Sequence, residues 1–226
     1  HANGLISKQQ HAFLAKRSTV TNLLESVRDW RISFKDKLNT DTVYIDFAHA
    51  FDGITLSKIT AKLISVGING KLLDWIVAFL SNRFQCVVLE SCFSDWSPVI
   101  SGVPQGSVLG PTLFIIFIDS IGSLFNGDLC HQLYADDLKL YTCIKNDISV
   151  LSLQSALDRL EQWCITWQLS VNVSKCQVLH LGKNNLCHQY FFAGSLIPSA
   201  KVVKDLGVIV DELLTFDSHI NNVVSR

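Results

Sequence analysis

Apolar positions recur along this chain in two rhythms, every three to four residues in some stretches and every second residue in shorter ones. After a polar start at Ser18, Val20, Leu23, Leu24, Val27 and Trp30 fall at helical spacing through Phe34. Residues 41–47, DTVYIDF, form a short β-rich run. LSKITAKLISVG sets Leu56, Ile59, Leu63 and Val66 on one helical face and stops at Gly67, a residue suited to closing a helix. KLLDWIVAFLSNR predicts a second helix, and FQCVVLE and WSPVIS predict strands. A glycine-rich loop, SGVPQGSVLGP (101–111), leads into a helix whose apolar face is Leu113, Ile116, Phe117 and Ile121, with Pro111 where its missing N–H costs nothing. HQLYADDLKLYT reads as strand, turn and strand. Val150, Leu153, Leu157, Leu160, Cys164 and Trp167 mark the clearest amphipathic helix. CQVLHLG predicts a strand, and the tail a strand-like run and the start of a helix.

Set in order, and leaving out an insertion over 55–100, these elements read βαββαβ, the split βαβ (ferredoxin-like, RRM-like) arrangement of an α+β fold. A helix between strands one and two makes them run the same way. The end of strand one, the turn between strands two and three and the glycine-rich loop then share one edge of the sheet. Asp46 ends the first strand; Asp136 and Asp137 occupy the turn. Alone, the adjacent pair is explained by the preference of Asp for turns. With Asp46 at the same edge, three carboxylates converge, and they must raise one another's pKa or hold a cation. Hard oxygen donors suit Mg²⁺ or Mn²⁺, and two such ions about 4 Å apart can join nucleotides.

Composition adds less. With 48% hydrophobic and 17% charged residues over 226 positions, the chain is globular in character. Its longest apolar run, Leu113–Ile118, is too short to cross a bilayer, and without a visible targeting segment the expected location is intracellular, in nucleus or cytoplasm. Seven cysteines without a CxxC pair suggest buried reduced thiols rather than zinc or disulfides. The net charge of −1 hides an asymmetry: Lys8, Lys16, Arg17, Arg28, Arg31, Lys35 and Lys37 face only Glu25, Asp29 and Asp36 within residues 1–37. A basic arm beside an acidic cluster suits a phosphate-binding, cation-using site, though a solvated helix face explains the charge equally well. The absence of Met suggests a piece of a longer reading frame.

YIDFAHAFDGI, SGVPQGSVLGPTLF, YADDLKLY, NVSKCQVLHLG and KDLGVIVD, in that order, resemble successive motifs of reverse transcriptases, most of all those of non-LTR (LINE-like) retrotransposons. QQHAFLAKRSTVTNLLE resembles the last fingers motif of that group. The resemblance implies an RNA-directed DNA polymerase that uses two Mg²⁺ or Mn²⁺ ions, an RNA template, a DNA primer and deoxynucleoside triphosphates. It implies fingers over 1–40, a palm over 41–182, and a primer-grip region over 183–226 leading to a missing thumb. Asp46, Asp136 and the Phe47 carbonyl would be metal ligands, with Asp137 a less direct contributor. Gln105 and Gly106 would lie under the nucleotide and templating base, Lys175 near the triphosphate, and Leu206 and Gly207 in the primer grip. Phe51 would face the incoming sugar, its ring leaving no room for a 2′-hydroxyl. Lys16 and Arg17 are candidates for nucleic-acid backbone contact, on even terms with plain surface.

The chain departs from the family at Ala48 and His49, where Ser and Lys are usual, at Ala12, where Gly is usual, and at 117–121. None of these removes a metal ligand. The alternative is a truncated, non-enzymatic relic that folds partially or only binds nucleic acid.

Overall fold

The computed structural model describes residues 5–225. In chain order the elements begin with α1 (Thr19–Lys35), β1 (Asn39–Ile45), α2 (Ala50–Gly53), α3 (Leu56–Ser65) and α4 (Gly70–Leu80). Four short strands follow, β2 (Arg83–Gln85), β3 (Val88–Leu89), β4 (Cys92–Phe93) and β5 (Ser97–Val99). Then come α5 (Leu109–Ile118), a 3-10 turn (Asp119–Leu124), β6 (Leu129–Tyr134), β7 (Asp137–Ile144), α6 (Asp147–Trp167) and β8 (Gln177–Leu181). The chain closes with β9 (Phe191–Phe192), β10 (Ser195–Leu196), β11 (Ser199–Ala200), β12 (Val202–Asp205), β13 (Val208–Asp211) and α7 (Asp217–Val224).

The fold is mixed α+β around a five-stranded sheet in the order β11-β8-β1-β7-β6. β1 is antiparallel to both β7 and β8, and β6 is antiparallel to β7, so β1 and β6 run the same way. Alternation along the strands divides the core. Val43, Ile45, Leu138 and Leu140 join the residues of α5 and α6 in one cluster. Tyr141, Leu179 and Leu181 meet Trp30 of α1 and Val203 and Val210 of the β12–β13 hairpin in another. Period-two side chains on a sheet covered on both faces require this division.

Three expectations change. The apolar spacing of α1 ran through Val20, Leu23, Leu24, Val27 and Trp30; Trp30 is buried and Leu23 and Val27 half-buried, but Val20 and Leu24 are exposed, and the other buried residues are Asn22, Ser26 and Ser33. Small side chains let this helix lie close, and the Asn22 amide donates to the Leu133 carbonyl at 3.0 Å, satisfying a strand acceptor. In α5 the whole run Leu113–Ile118 is buried rather than one stripe, as befits a helix apolar all round. The seven cysteines are all free, but only Cys164 and Cys176 are buried.

The insertion forms helices α3 and α4 and two small hairpins, β2 with β5 and β3 with β4. Among the described residues no helix is long and apolar enough to cross a membrane.

Candidate active site

Strand register brings two of the three acidic residues together, Asp46 and Asp137; Asp136 is not among the residues that line the cavity they share. Ile45 pairs with Leu138, so Asp46, the next residue, lies across from Asp137, the one before. Both carboxylate residues line a single cavity with Tyr44, Lys139, Lys175, Lys204, Asp205 and Leu206. Asp46 stands one residue beyond its strand: its N–H faces the Cys176 sulfur at 3.4 Å and its carbonyl accepts from Asn172 at 2.8 Å. Phe47 bridges to Val171 through its neighbours' backbone groups, and among the described residues no backbone N–H donates to the Phe47 carbonyl.

The turn is tighter than the motif suggests. Tyr134 pairs with Asp137, so the loop is only Ala135 and Asp136, and Asp137 already begins β7. Ala135 takes φ 56, a left-handed conformation that a side chain makes uncommon. Gln10, wholly buried, holds it there: its Oε1 accepts from the Ala135 N–H at 3.0 Å and the Ala12 N–H at 2.9 Å. The flanking residues Gln9 and His11 exchange backbone bonds with Leu133. Spacing gave no sign of this contact, which spans 125 residues.

Desolvation is the main cause that raises the carboxyl of Asp136, with the Asp46 charge adding to it. At Asp137 desolvation acts first, then the like charges of Asp136, Asp205 and Asp46, and together they push the carboxyl up to about 6. The stability of a fold that raises a carboxyl in this way is fully present below about 3.8, the unfolded value, and is lost as pH rises through about 6. In chelator, Asp137→Asn is therefore expected to raise the thermal unfolding midpoint near pH 7–8 and to match wild type below about pH 4. An unchanged or lower midpoint at neutral pH would refute the assignment of this strain to Asp137.

The glycine-rich loop is docked on the segment after Asp46. Val103 N–H donates to the Phe51 carbonyl at 2.9 Å, Ser101 Oγ to the Asp52 carbonyl at 2.7 Å, and Gln105 Nε2 to Asp52 Oδ1 at 2.9 Å. Phe51 stacks on Phe114 with ring centroids 3.9 Å apart and 13° between planes, and Phe13 meets it edge-on at 6.5 Å. Gly102 makes the approach possible. A Cβ there would fall 2.7 Å from the Asp52 Cα and 2.9 Å from the Phe51 oxygen, at φ +79, whereas Gly106, at φ +82, has open space. Gly102→Ala should cost roughly 2–4 kcal/mol, backbone strain plus overpacking, and Gly106→Ala about 1 kcal/mol from strain alone. Urea unfolding of the two variants side by side checks the difference.

Lys175 is exposed and borders the cavity of Asp46 and Asp137. Leu206 and Gly207 form the two-residue turn of the β12–β13 hairpin, both at positive φ, 47 and 93, as a tight hairpin turn of this kind demands. Leu206 borders the same cavity. Lys16 and Arg17 lie apart from it. Lys16 is exposed, while the Arg17 guanidinium pairs with Glu25 at 3.0 Å and lies 3.2 Å from the His11 ring.

The chain resembles known proteins along almost its whole length. Residues 1–210 match the family described as reverse transcriptase (RNA-dependent DNA polymerase). The RNA-directed DNA polymerase from mobile element jockey of Drosophila funebris is 31% identical over 96% of the chain, and the Drosophila melanogaster counterpart 29%. A probable RNA-directed DNA polymerase from transposon X-element of Drosophila melanogaster is 25% identical. The chain spans about a quarter of the length of these relatives. The solved telomerase of Candida tropicalis, in complex with a fragment of telomeric RNA, shares the fold over 93% of this chain and 33% of its own, with a TM-score of 0.61 at 12% identity. Motif order, fold and these matches agree: the chain belongs to the reverse transcriptase family.

Proposed function

We propose that this chain supplies the catalytic palm of an RNA-directed DNA polymerase, which adds deoxynucleotides to a DNA primer on an RNA template. One observation carries the reading: Asp46 and Asp137, far apart in sequence, are set across from each other by register and share a cavity with Lys175 and Leu206. The antiparallel order β8-β1-β7-β6 supports treating residues 41–182 as a split βαβ palm. Residues up to about 40 then close off the fingers, and 183–226 form the primer-grip region; of these spans, 1–4 and 226 lie outside the described residues.

The donor set fits a divalent cation. Among the described residues no group of three or more His, Cys, Asp or Glu side chains encloses an ion by itself. Mg²⁺ does not need such a cage, since it keeps waters and takes one or two carboxylates plus substrate phosphates. Burial first, and then the like charges of neighbouring carboxylates, raise the carboxyls of Asp136 and Asp137, and a bound cation would offset both. Asp46, Asp136 and the Phe47 carbonyl would hold the metal, with Asp137 tuning the field. When bound, two such ions activate the attacking hydroxyl and stabilise the leaving pyrophosphate.

The side chains do the rest. Lys175 stands where it can meet a triphosphate and give a proton to the leaving group. Gln105, held by Asp52, and Gly106, open to solvent, would support the templating base. Phe51 would close the space beside the sugar, and Leu206 and Gly207 would hold the primer end. The test is extension of a DNA primer on an RNA template with Mg²⁺, by the longest open reading frame that carries this segment. Failure to incorporate any deoxynucleotide would overturn the reading.

A further inference from the structure

Lys139 and Asp205 lie 66 residues apart, yet Lys139 Nζ and Asp205 Oδ2 are 2.6 Å from each other, with side chains only 4% and 5% exposed. Lys139 is two residues beyond Asp137 on β7, in register with Tyr44 of β1. The Tyr44 hydroxyl donates to the same Asp205 oxygen at 3.3 Å. Asp205 is the last residue of β12, immediately before the Leu206–Gly207 turn. The pair therefore links the strand that carries the acidic turn to the hairpin that carries the primer-grip turn.

A buried ion pair is a poor way to gain stability, because desolvating two charges offsets much of their attraction. What it supplies is direction. Among the described residues the β12–β13 hairpin pairs with no strand of the central sheet, and an isolated two-stranded ribbon is marginal. Its far end is tied down, with β11 pairing β8 and Gly182 N–H donating to the Glu212 carbonyl at 2.9 Å. Midway, Val203 and Val210 pack on Trp30 and Tyr141. Such apolar contacts are non-directional and tolerate sliding. At the turn end, Lys139 and Tyr44 reach Asp205 through bonds of fixed geometry.

We infer that Lys139 and Asp205 are a positioning pair, which sets the Leu206–Gly207 turn, and with it the 3′ end of a primer, at a constant place relative to Asp46 and Asp136. The inference rests on the polymerase reading. Both residues border the cavity of Asp46 and Asp137, but the role inferred for them is exerted through the hairpin and not on the reacting atoms.

Three variants test it: Lys139→Met, Asp205→Asn and the double variant Lys139→Met/Asp205→Asn, which leaves Tyr44 an acceptor while removing both charges. In this chain without substrates, hydrogen exchange across 202–211 should speed up in each, with α6 unchanged; unaltered exchange in the single variants overturns the anchor. Thermal stability should fall in the singles and return toward wild type in the double, because no unpaired charge stays buried. In the longest open reading frame, single-turnover incorporation should drop about 100-fold in all three, with half-saturation by deoxynucleotide unchanged. A double variant that incorporates at the wild-type rate overturns the positioning role. A wild-type protein that extends no primer overturns the polymerase reading instead, and the exchange result still decides whether the pair anchors the hairpin.

Discussion

Asp136→Ala is expected to reduce Mg²⁺-dependent incorporation by about 10³-fold or more while leaving the protein folded. The magnitude follows from the charge stabilisation that a lost metal ligand withdraws, several kcal/mol, at about 1.4 kcal/mol per factor of ten. The second half of the expectation comes from the site. Desolvation and the Asp46 charge already raise the Asp136 carboxyl, so in the absence of metal its removal relieves repulsion. The backbone bond of the Asp136 carboxylate is to its own N–H, and it is Gln10, on the Ala135 N–H, that ties the turn to the rest of the fold. Unfolding midpoints in chelator and single-turnover rates in Mg²⁺ should therefore move in opposite directions. A variant that loses activity only because it unfolds would lower both, and a variant that retains its rate would remove Asp136 from the metal site.

Much of this arrangement is legible in the chain because it depends on local rhythm and short motifs. The amphipathic spacing of α6 survives as its buried face, with Leu153, Leu157, Leu160 and Cys164 all enclosed. The acidic turn and the end of β1 follow from alternation on two short strands and from the order of elements. What is not legible depends on partners far away in sequence. Gln10 reads as one polar residue in a polar stretch, and only the fold shows its oxygen on the Ala135 N–H. Lys139 alternates with Leu138 and Leu140, the pattern of a solvent-facing position. The β12–β13 hairpin covers that face and turns the lysine inward. The buried side of α1 was hidden for a related reason: its close approach uses Ser26 and Ser33, whose small size matters more here than their polarity.

Phe51→Val is expected to lower discrimination against ribonucleotides by roughly 10- to 100-fold, the range for changing a few carbons of a pocket wall, with modest effect on deoxynucleotides. On the proposed role, the stack is what would keep the ring from swinging aside for a hydroxyl. Phe114, wholly buried in α5, lies flat against one side at 3.9 Å, and Phe13 closes in edge-on at 6.5 Å. Behind it, the Phe51 carbonyl is pinned by Val103, and Gly102 presses on Asp52. A side chain so held has few rotamers to offer an incoming sugar. Valine keeps an apolar surface against Phe114 but vacates the outer part of the ring, where a 2′-hydroxyl would fit if Phe51 faces the sugar as proposed. The measurement is kcat/KM for matched ribo- and deoxynucleoside triphosphates on one primer–template. A ratio that stays at the wild-type value would mean that Phe51 serves only the Phe114 stack and that the sugar is read by another residue.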